Sequence, residues 1–441
     1  MKLNVVSLGC DKNLVDTEYM IGLASKAGYE FVDDENEADV MVINTCCFIH
    51  DAKQESINAI LEAATLKSFN LKALIVCGCL AQRYAKEIRE EIPEVDAVVG
   101  TSSYDEVIDA IDEVLKGLKP DHVTTPNRFP MPDCRRVLST AGHYAYLKIA
   151  EGCNKCCTYC IIPKIRGNYR SYPMERLIDE ARQLAEQGVR ELIVIAQETT
   201  VYGVDIYGRK ALPELLCKLS EIEGIEWIRL MYAYPEEITD ELIEVMSTNP
   251  KILHYIDMPL QHASDAVLKR MGRRTNQADI RNIIAKLRAS IPDICLRTTM
   301  ISGFPGETEA DHEELYRFIN EIEFDRLGVF TYSAEEGTPA VEFADQVDED
   351  TKNYRRNELM ELQQAVTFDF NEEEMIGKKL RVIVEGEIPE DEAYVCRTYR
   401  DAPDVDGFLF LKKDRNLMTG DMVDVVVSNA DGYDLKGDEV R

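Results

Sequence analysis

Glu151-Gly152-Cys153-Asn154-Lys155-Cys156-Cys157-Thr158-Tyr159-Cys160-Ile161-Ile162-Pro163 is the stretch around which this chain of 441 residues is organised. Four cysteines fall within eight residues, and Cys153, Cys157 and Cys160 make C-x3-C-x2-C. Three thiolates at that spacing can hold three irons of a cubane 4Fe-4S cluster and leave the fourth iron without a protein ligand. A structural zinc site wants four closed ligands, and no C-x2-C or H-x3-H partner follows downstream. A thioredoxin-like dithiol, through Cys153 and Cys156 or Cys157 and Cys160, leaves the other two cysteines without a role. The open-iron cluster is the reading that uses the spacing.

Charge is the bulk property with most to say about partners. Lys and Arg number 50 against 81 Asp and Glu, a formal net charge of −31 at pH 7. Nucleic-acid binding draws much of its affinity from basic surface against phosphate. A chain this acidic is repelled by RNA at long range and attracted to a basic partner, although acidity also serves solubility alone. No stretch of eighteen apolar residues occurs, so no transmembrane helix is expected. Met1-Lys2-Leu3-Asn4-Val5-Val6-Ser7 runs straight into a strand and lacks a signal-peptide layout. Thirteen cysteines is an odd number, and most fall at strand ends or in the cluster motif, unlike a secreted disulfide framework. A reducing, cytoplasmic setting follows, and nothing demands more than a monomer.

Outward from the motif, residues 143–370 alternate strands and helices. The strand candidates are Tyr144–Ala150, Glu191–Ala196, Trp227–Tyr232, Leu253–Asp257, Ile294–Ile301 and Arg326–Thr331. Six βα units predict an open parallel (β/α)6 barrel with the cluster loop directly after its first strand. Catalytic residues of βα barrels sit on the loops that follow the strands. Here those loops read Gln197-Glu198-Thr199-Thr200-Val201-Tyr202-Gly203, Met258-Pro259-Leu260-Gln261-His262 leading into Met271-Gly272-Arg273-Arg274, Gly303-Phe304-Pro305-Gly306-Glu307-Thr308, and Tyr332-Ser333 through Gly337-Thr338-Pro339. A Gly-Phe-Pro-Gly loop alone is an ordinary tight turn, but polar residues after every strand at one mouth are harder to attribute to turns. His262 and Arg273 also have plain readings, a polar residue at a helix start and a solvated cation. No Ser-His-Asp order, P-loop or H-E-x-x-H competes for the chemistry.

Residues 1–120 predict a doubly wound parallel sheet, with strands near Leu3–Ser7, Val40–Asn44, Ala73–Val76 and Ala97–Val99 alternating with helices. Ligands of such sheets bind beyond the carboxyl ends of the strands. Cys10, Cys46 and Cys79 follow the first three strands and would converge at that edge, which suggests a second open-iron 4Fe-4S cluster. Cys47 and Cys77 neighbour better-placed thiols and are read as small buried packing residues. Residues 121–142, with Pro126, Pro130 and Pro132, read as a linker in which Cys134 is a solvent-side bystander.

From 376 to 441 the texture changes to five short alternating strands between Gly, Pro and Asp turns, a small all-β, OB-like barrel. Fifteen acidic against ten basic residues make it net acidic, poorly suited to phosphate and well suited to a basic protein.

These blocks together resemble the radical S-adenosylmethionine (SAM) methylthiotransferases, the match running from Tyr146-Leu147-Lys148-Ile149-Ala150-Glu151-Gly152 to Arg166-Gly167 and over all three parts. Cys156 departs from the family, standing where another residue is usual, and invites a misassignment of the ligands. The resemblance implies an auxiliary cluster on Cys10, Cys46 and Cys79, a radical SAM barrel, and a terminal TRAM domain of a kind that commonly binds RNA. It implies SAM at the barrel mouth, contacted by backbone at Tyr159 and by side chains such as Gln197 and Arg273. It implies one-electron reduction by a donor such as flavodoxin, cleavage of SAM, hydrogen abstraction and transfer of a methylthio group. Ser7-Leu8-Gly9-Cys10-Asp11-Lys12-Asn13-Leu14-Val15-Asp16-Thr17-Glu18 looks like the branch that modifies the β-carbon of an aspartate in the small-subunit ribosomal protein numbered twelve. The branch acting on tRNA adenosine tends to read Gly-Cys-Gln-Met-Asn there. A non-catalytic Fe–S or RNA-binding adaptor is the remaining alternative, and the complete C-x3-C-x2-C argues against it.

Overall fold

The computed structural model describes residues 1–440. Short strands with apolar centres need cover on both faces, and the first part of the chain supplies it. β1 (Lys2–Ser7), β2 (Glu30–Phe31), β3 (Val40–Thr45), β4 (Ala73–Cys77), β5 (Ala97–Gly100) and β6 (Asp121–His122) form a parallel sheet in the order β2-β1-β3-β4-β5-β6. Every residue of β3, β4 and β5 is buried, as expected of a parallel sheet covered on both sides. The helices between the strands are α1 (Asp11–Lys26), α2 (His50–Thr65), α3 (Gly78–Glu91) and α4 (Val107–Leu115). Strand order switches between β1 and β3, the point where such sheets open a crevice for ligands. β6 lies within the stretch read as a linker and pairs with β5. Cys134, expected on the solvent side, is half-buried, and its thiol faces the Tyr19 carbonyl at 3.5 Å.

β7 (Tyr144–Lys148) opens the second part. A two-stranded antiparallel ribbon of β8 (Ala150–Glu151) and β9 (Arg170–Ser171) then clasps the base of the cysteine-rich loop. β10 (Glu191–Ile195), β11 (Trp227–Leu230), β12 (Ile252–Asp257), β13 (Cys295–Ser302) and β14 (Arg326–Thr331) complete an open parallel sheet in the order β14-β13-β12-β11-β10-β7. α1 of the first part packs on β7. One apolar cluster runs through the whole chain, joining Leu3 and Val15, Ile193, Ile195 and Tyr255, and Ile383 and Ala402.

β15 (Lys379–Ile388), β16 (Ala393–Thr398), β17 (Leu409–Lys412), β18 (Met422–Asp431) and β19 (Asp434–Glu439) close into a barrel in the order β15-β16-β17-β19-β18. Its β16–β17 connection plugs the amino end of the larger barrel. Tyr255 Oη donates to Asp406 at 3.0 Å, Tyr144 Oη to Asp404 at 3.3 Å, and Arg326 pairs with Asp401 at 2.6 Å. The Asp401 and Asp406 side chains, counted toward the acidity of the tail, are therefore committed inside the molecule, while Asp404 stays exposed. No helix among the described residues is long and apolar enough to cross a membrane.

Candidate active site

Cys10, Cys46 and Cys79 stand just past β1, β3 and β4. Gly9 has φ +89°, and a Cβ there would lie 2.6 Å from Cys46 Cβ, so only glycine lets the Cys10 turn pass so close. Asn13 secures the turn from α1. Its Nδ2 donates to Leu8 O at 3.0 Å and Thr45 O at 2.9 Å, and its Oδ1 faces Cys79 Sγ at 3.7 Å. Cys46 and Cys79 are buried and Cys10 is exposed. Cys77 packs in the apolar cluster with Leu3 and Ile75, and Cys47 in that with Ile43 and Ile60.

Beyond β7, the ribbon and a Cys153 N–H bond to Gly167 O at 3.2 Å hold the two ends of the second loop. Thr158 pins its middle, donating from N to Met271 O at 2.9 Å and from Oγ1 to Arg270 O at 2.8 Å, and accepting from Ala340 N at 2.9 Å. Cys153 and Cys157 are buried and Cys160 half-buried. Cys156, at φ +56°, is left exposed. Burial pushes the Cys153 thiol up to about 11 and the Cys160 and Cys79 thiols well up. Metal-free, these thiols carry their protons, so taking up a metal releases them.

Among the described residues, no three His, Cys, Asp or Glu side chains converge as a single metal ion requires. A cubane spreads its three thiolates over separate irons, and an all-sulfur donor set suits iron–sulfur chemistry, not a hard cation. The residues fit the group.

At the mouth, Arg273 is only 8% exposed, so the solvated-cation reading fails. Its guanidinium lies over the Tyr234 ring, 4.4 Å from the centroid, and donates to Pro259 O at 3.0 Å. Tyr159 is half-buried, edge-on to Phe304 at 6.3 Å, with its phenol beside Cys157 and Arg273. Arg273 Nε and Gln197 Oε1 are both buried without a hydrogen-bond partner. Two orphaned polar atoms at one mouth call for a polar ligand.

His262 Nε2 is likewise buried without a hydrogen-bond partner, but its ring is set against the neighbouring turn. Its Nδ1 accepts from Ser264 N at 2.9 Å, and its Nε2 lies 3.6 Å from Glu307. Glu307 accepts from the Gly303 and Phe304 N–H groups at 2.7 and 3.1 Å and pairs with Arg355 at 3.0 Å. The Gly303–Thr308 block is thus a braced turn.

Sequence reasoning missed several mouth residues. Lys155, inside the motif, is paired with Glu198, Glu236 and Glu237 at 3.5, 3.3 and 2.5 Å. Burial lifts the Glu198 carboxyl to about 7 against the pull of Lys155. Lys12 Nζ lies 2.9 Å from the Tyr232 ring centroid and 3.0 Å from Asp11. Past the end of β11 the backbone turns at Tyr232 (φ +58°), which lies toward Cys10, while Tyr234 lies toward Cys157. Their signal was only a pair of tyrosines at a strand end.

Three family models match this chain: Uncharacterized protein family UPF0004 over residues 2–100, the Radical SAM superfamily over 147–319 and the TRAM domain over 376–440. A ribosomal protein uS12 methylthiotransferase RimO of Lachnoclostridium phytofermentans is 58% identical over 438 residues, 99% of each chain. The chain belongs to the RimO family. RimO proteins of Acetivibrio thermocellus and Clostridioides difficile are 51% and 50% identical, each over 98% of its own length and at least 99% of this chain. Among solved structures, the radical SAM methyltransferase TsrM of Kitasatospora setae, with cobalamin and a 4Fe-4S cluster bound, superposes with a TM-score of 0.56 at 13% identity. It covers 75% of this chain and 74% of its own and shares the fold.

Proposed function

We propose that this protein is a radical SAM methylthiotransferase that modifies the β-carbon of an aspartate in ribosomal protein uS12. One observation carries the reading: a protein named uS12 methylthiotransferase matches 99% of this chain at 58% identity. Cys153, Cys157 and Cys160 hold one 4Fe-4S cluster, Cys10, Cys46 and Cys79 a second, and Tyr159, Gln197 and Arg273 receive SAM. When bound, these groups supply one-electron cleavage of SAM, abstraction of an unactivated hydrogen and the sulfur and methyl of the product.

The chain's own residues set the stage. Arg273, steadied by the Tyr234 face, offers its unused Nε–H to a carboxylate. Gln197 Oε1 offers an acceptor for an ammonium or hydroxyl. Lys155, held by three glutamates, fixes the loop between Cys153 and Cys157. The formal charge of −31 favours a basic ribosomal protein, free or in the small subunit, over tRNA. A cytoplasmic monomer reduced by a one-electron donor such as flavodoxin completes the reading.

A competition tests it. Protein reconstituted anaerobically is given SAM, reductant, purified small ribosomal subunits and bulk tRNA, and both fractions are analysed by mass spectrometry. A methylthio increment on uS12 alone is the expected result. The increment on tRNA would reassign the substrate, and SAM cleavage with neither modified would leave only the radical chemistry standing.

A further inference from the structure

Arg166 stands in the loop that carries the second cysteine triad, yet its guanidinium reaches the first. The side chain is buried, and Nη2 lies 3.7 Å from Cys79 Sγ while also donating to Asn13 Oδ1. Nη1 pairs with Asp16 Oδ2 at 2.7 Å and with Glu151 Oε2 at 3.4 Å. Lys148 Nζ pairs with the same two carboxylates. Two cations and two anions thus balance in a dry cluster whose members come from both sides of the interface. Asn13 and Asp16 belong to α1, while Lys148, Glu151 and Arg166 flank the motif that begins at Cys153.

We propose that Arg166 is a positioning residue for the cluster held by Cys10, Cys46 and Cys79, donating an N–H to the Cys79 sulfur and raising that cluster's reduction potential. The inference rests on the ligand assignment under the proposed function. An added electron makes an iron–sulfur cluster more negative, and a buried cation with an N–H aimed at a ligand sulfur favours the reduced state. Asp16 and Glu151 moderate the effect, since each places a compensating negative charge on the same guanidinium. The geometry also explains why Arg166 and Asn13 occur in two distant motifs: each contributes to one contact around Cys79.

The test isolates the first cluster in the full-length chain with Cys153, Cys157 and Cys160 all changed to Ala, reconstituted anaerobically and titrated by EPR-monitored potentiometry. Arg166→Gln should shift reduction tenfold or more against the reduced state, which is about 59 mV downward for one electron. Asp16→Asn, which leaves the guanidinium less compensated, should move the potential upward, and Arg166→Lys should fall between wild type and Gln. Opposite signs from two neighbours identify an electrostatic role, since disturbed packing has no reason to reverse. If both variants retain their iron and the potential stays put or moves the same way, the proposal is overturned. Should Arg166→Gln fail to hold iron, Asp16→Asn decides alone, an upward shift supporting the proposal and no shift ending it. A parent chain that binds no iron overturns the ligand assignment, and the proposal with it.

Discussion

Arg397 Nη2 donates to Glu191 Oε2 at 2.6 Å, joining the terminal barrel to the first residue of β10 across 206 positions. Arg229 Nε takes the other carboxylate oxygen at 2.7 Å, and all three side chains are fully buried. Burial alone would raise the Glu191 carboxyl, but the two guanidiniums outweigh it and hold it below the ordinary range. Glu191→Ala leaves the buried Arg229 without a carboxylate and Arg397 with Glu385 alone, and should cost about 3–5 kcal/mol in urea unfolding at neutral pH. A depressed carboxyl contributes stability above its unfolded pKa and loses it as pH falls through the folded value. The gap between wild type and variant should therefore narrow below about pH 4. A gap that does not vary with pH would mean the carboxylate charge is irrelevant there.

Removing the tail should injure the barrel it plugs. A chain ending at Met375 uncovers Arg229, Arg297 and Arg326, whose partners Tyr399, Asp406 and Asp401 all lie in the removed part. It also strips Ile383 and Ala402 from the shared apolar cluster. The expected outcome is a lower melting temperature and a tendency to aggregate, visible by calorimetry and light scattering. Loss of substrate modification by this truncation would then report on folding and not on docking. Were the truncated chain as stable as the intact one, the tail would be free for a purely recruiting role.

Glu198 gives the opposite pH signature. Burial raises its carboxyl to about 7 despite Lys155, so the folded state holds the proton more tightly than the unfolded chain does. Its contribution is fully present below the unfolded value near 4.5 and is lost as pH rises through 7. That corresponds to roughly 3 kcal/mol of destabilisation at alkaline pH. Glu198→Gln keeps an acceptor for the Thr200 N–H and removes the charge, so the metal-free variant should gain stability over wild type at pH 8.5 and show little gain at pH 5. An equal effect at both values would refute the ionisation argument.

Strand ends and cysteine spacing were legible because each follows a local rule. Apolar runs such as Val40–Thr45 mark buried parallel strands, and a thiol just past such a strand must lie at the ligand edge of the sheet. What stayed hidden depends on pairs far apart in the chain. Nothing in the immediate neighbourhood of Arg166 points to Asp16, and nothing near Glu191 points to Arg397, because burial of a charge is decided by the partner that arrives from elsewhere. The same blindness affected Arg273, read equally well as a solvated cation until Tyr234 and Pro259 were seen to enclose it. Net charge likewise could not show that Asp401 and Asp406, which count toward the acidity of the tail, pair internally with Arg326 and Arg297.

The two neighbouring thiols Cys156 and Cys157 should separate cleanly. Cys157 is buried among the loop contacts that Thr158 anchors, whereas Cys156 is exposed at φ +56°. If the ligands are Cys153, Cys157 and Cys160, then Cys157→Ala should lose about half of the iron and sulfide of the reconstituted protein, one cubane of two. Cys156→Ala should keep its full iron content and its visible absorption. Because burial lifts the Cys153 and Cys160 thiols, reconstitution should release protons, measurable as acid liberated in a weakly buffered solution. Cys157→Ala should release fewer protons than wild type, and Cys156→Ala the same number. Iron lost from Cys156→Ala but retained in Cys157→Ala would shift the ligand set by one residue and break the C-x3-C-x2-C assignment.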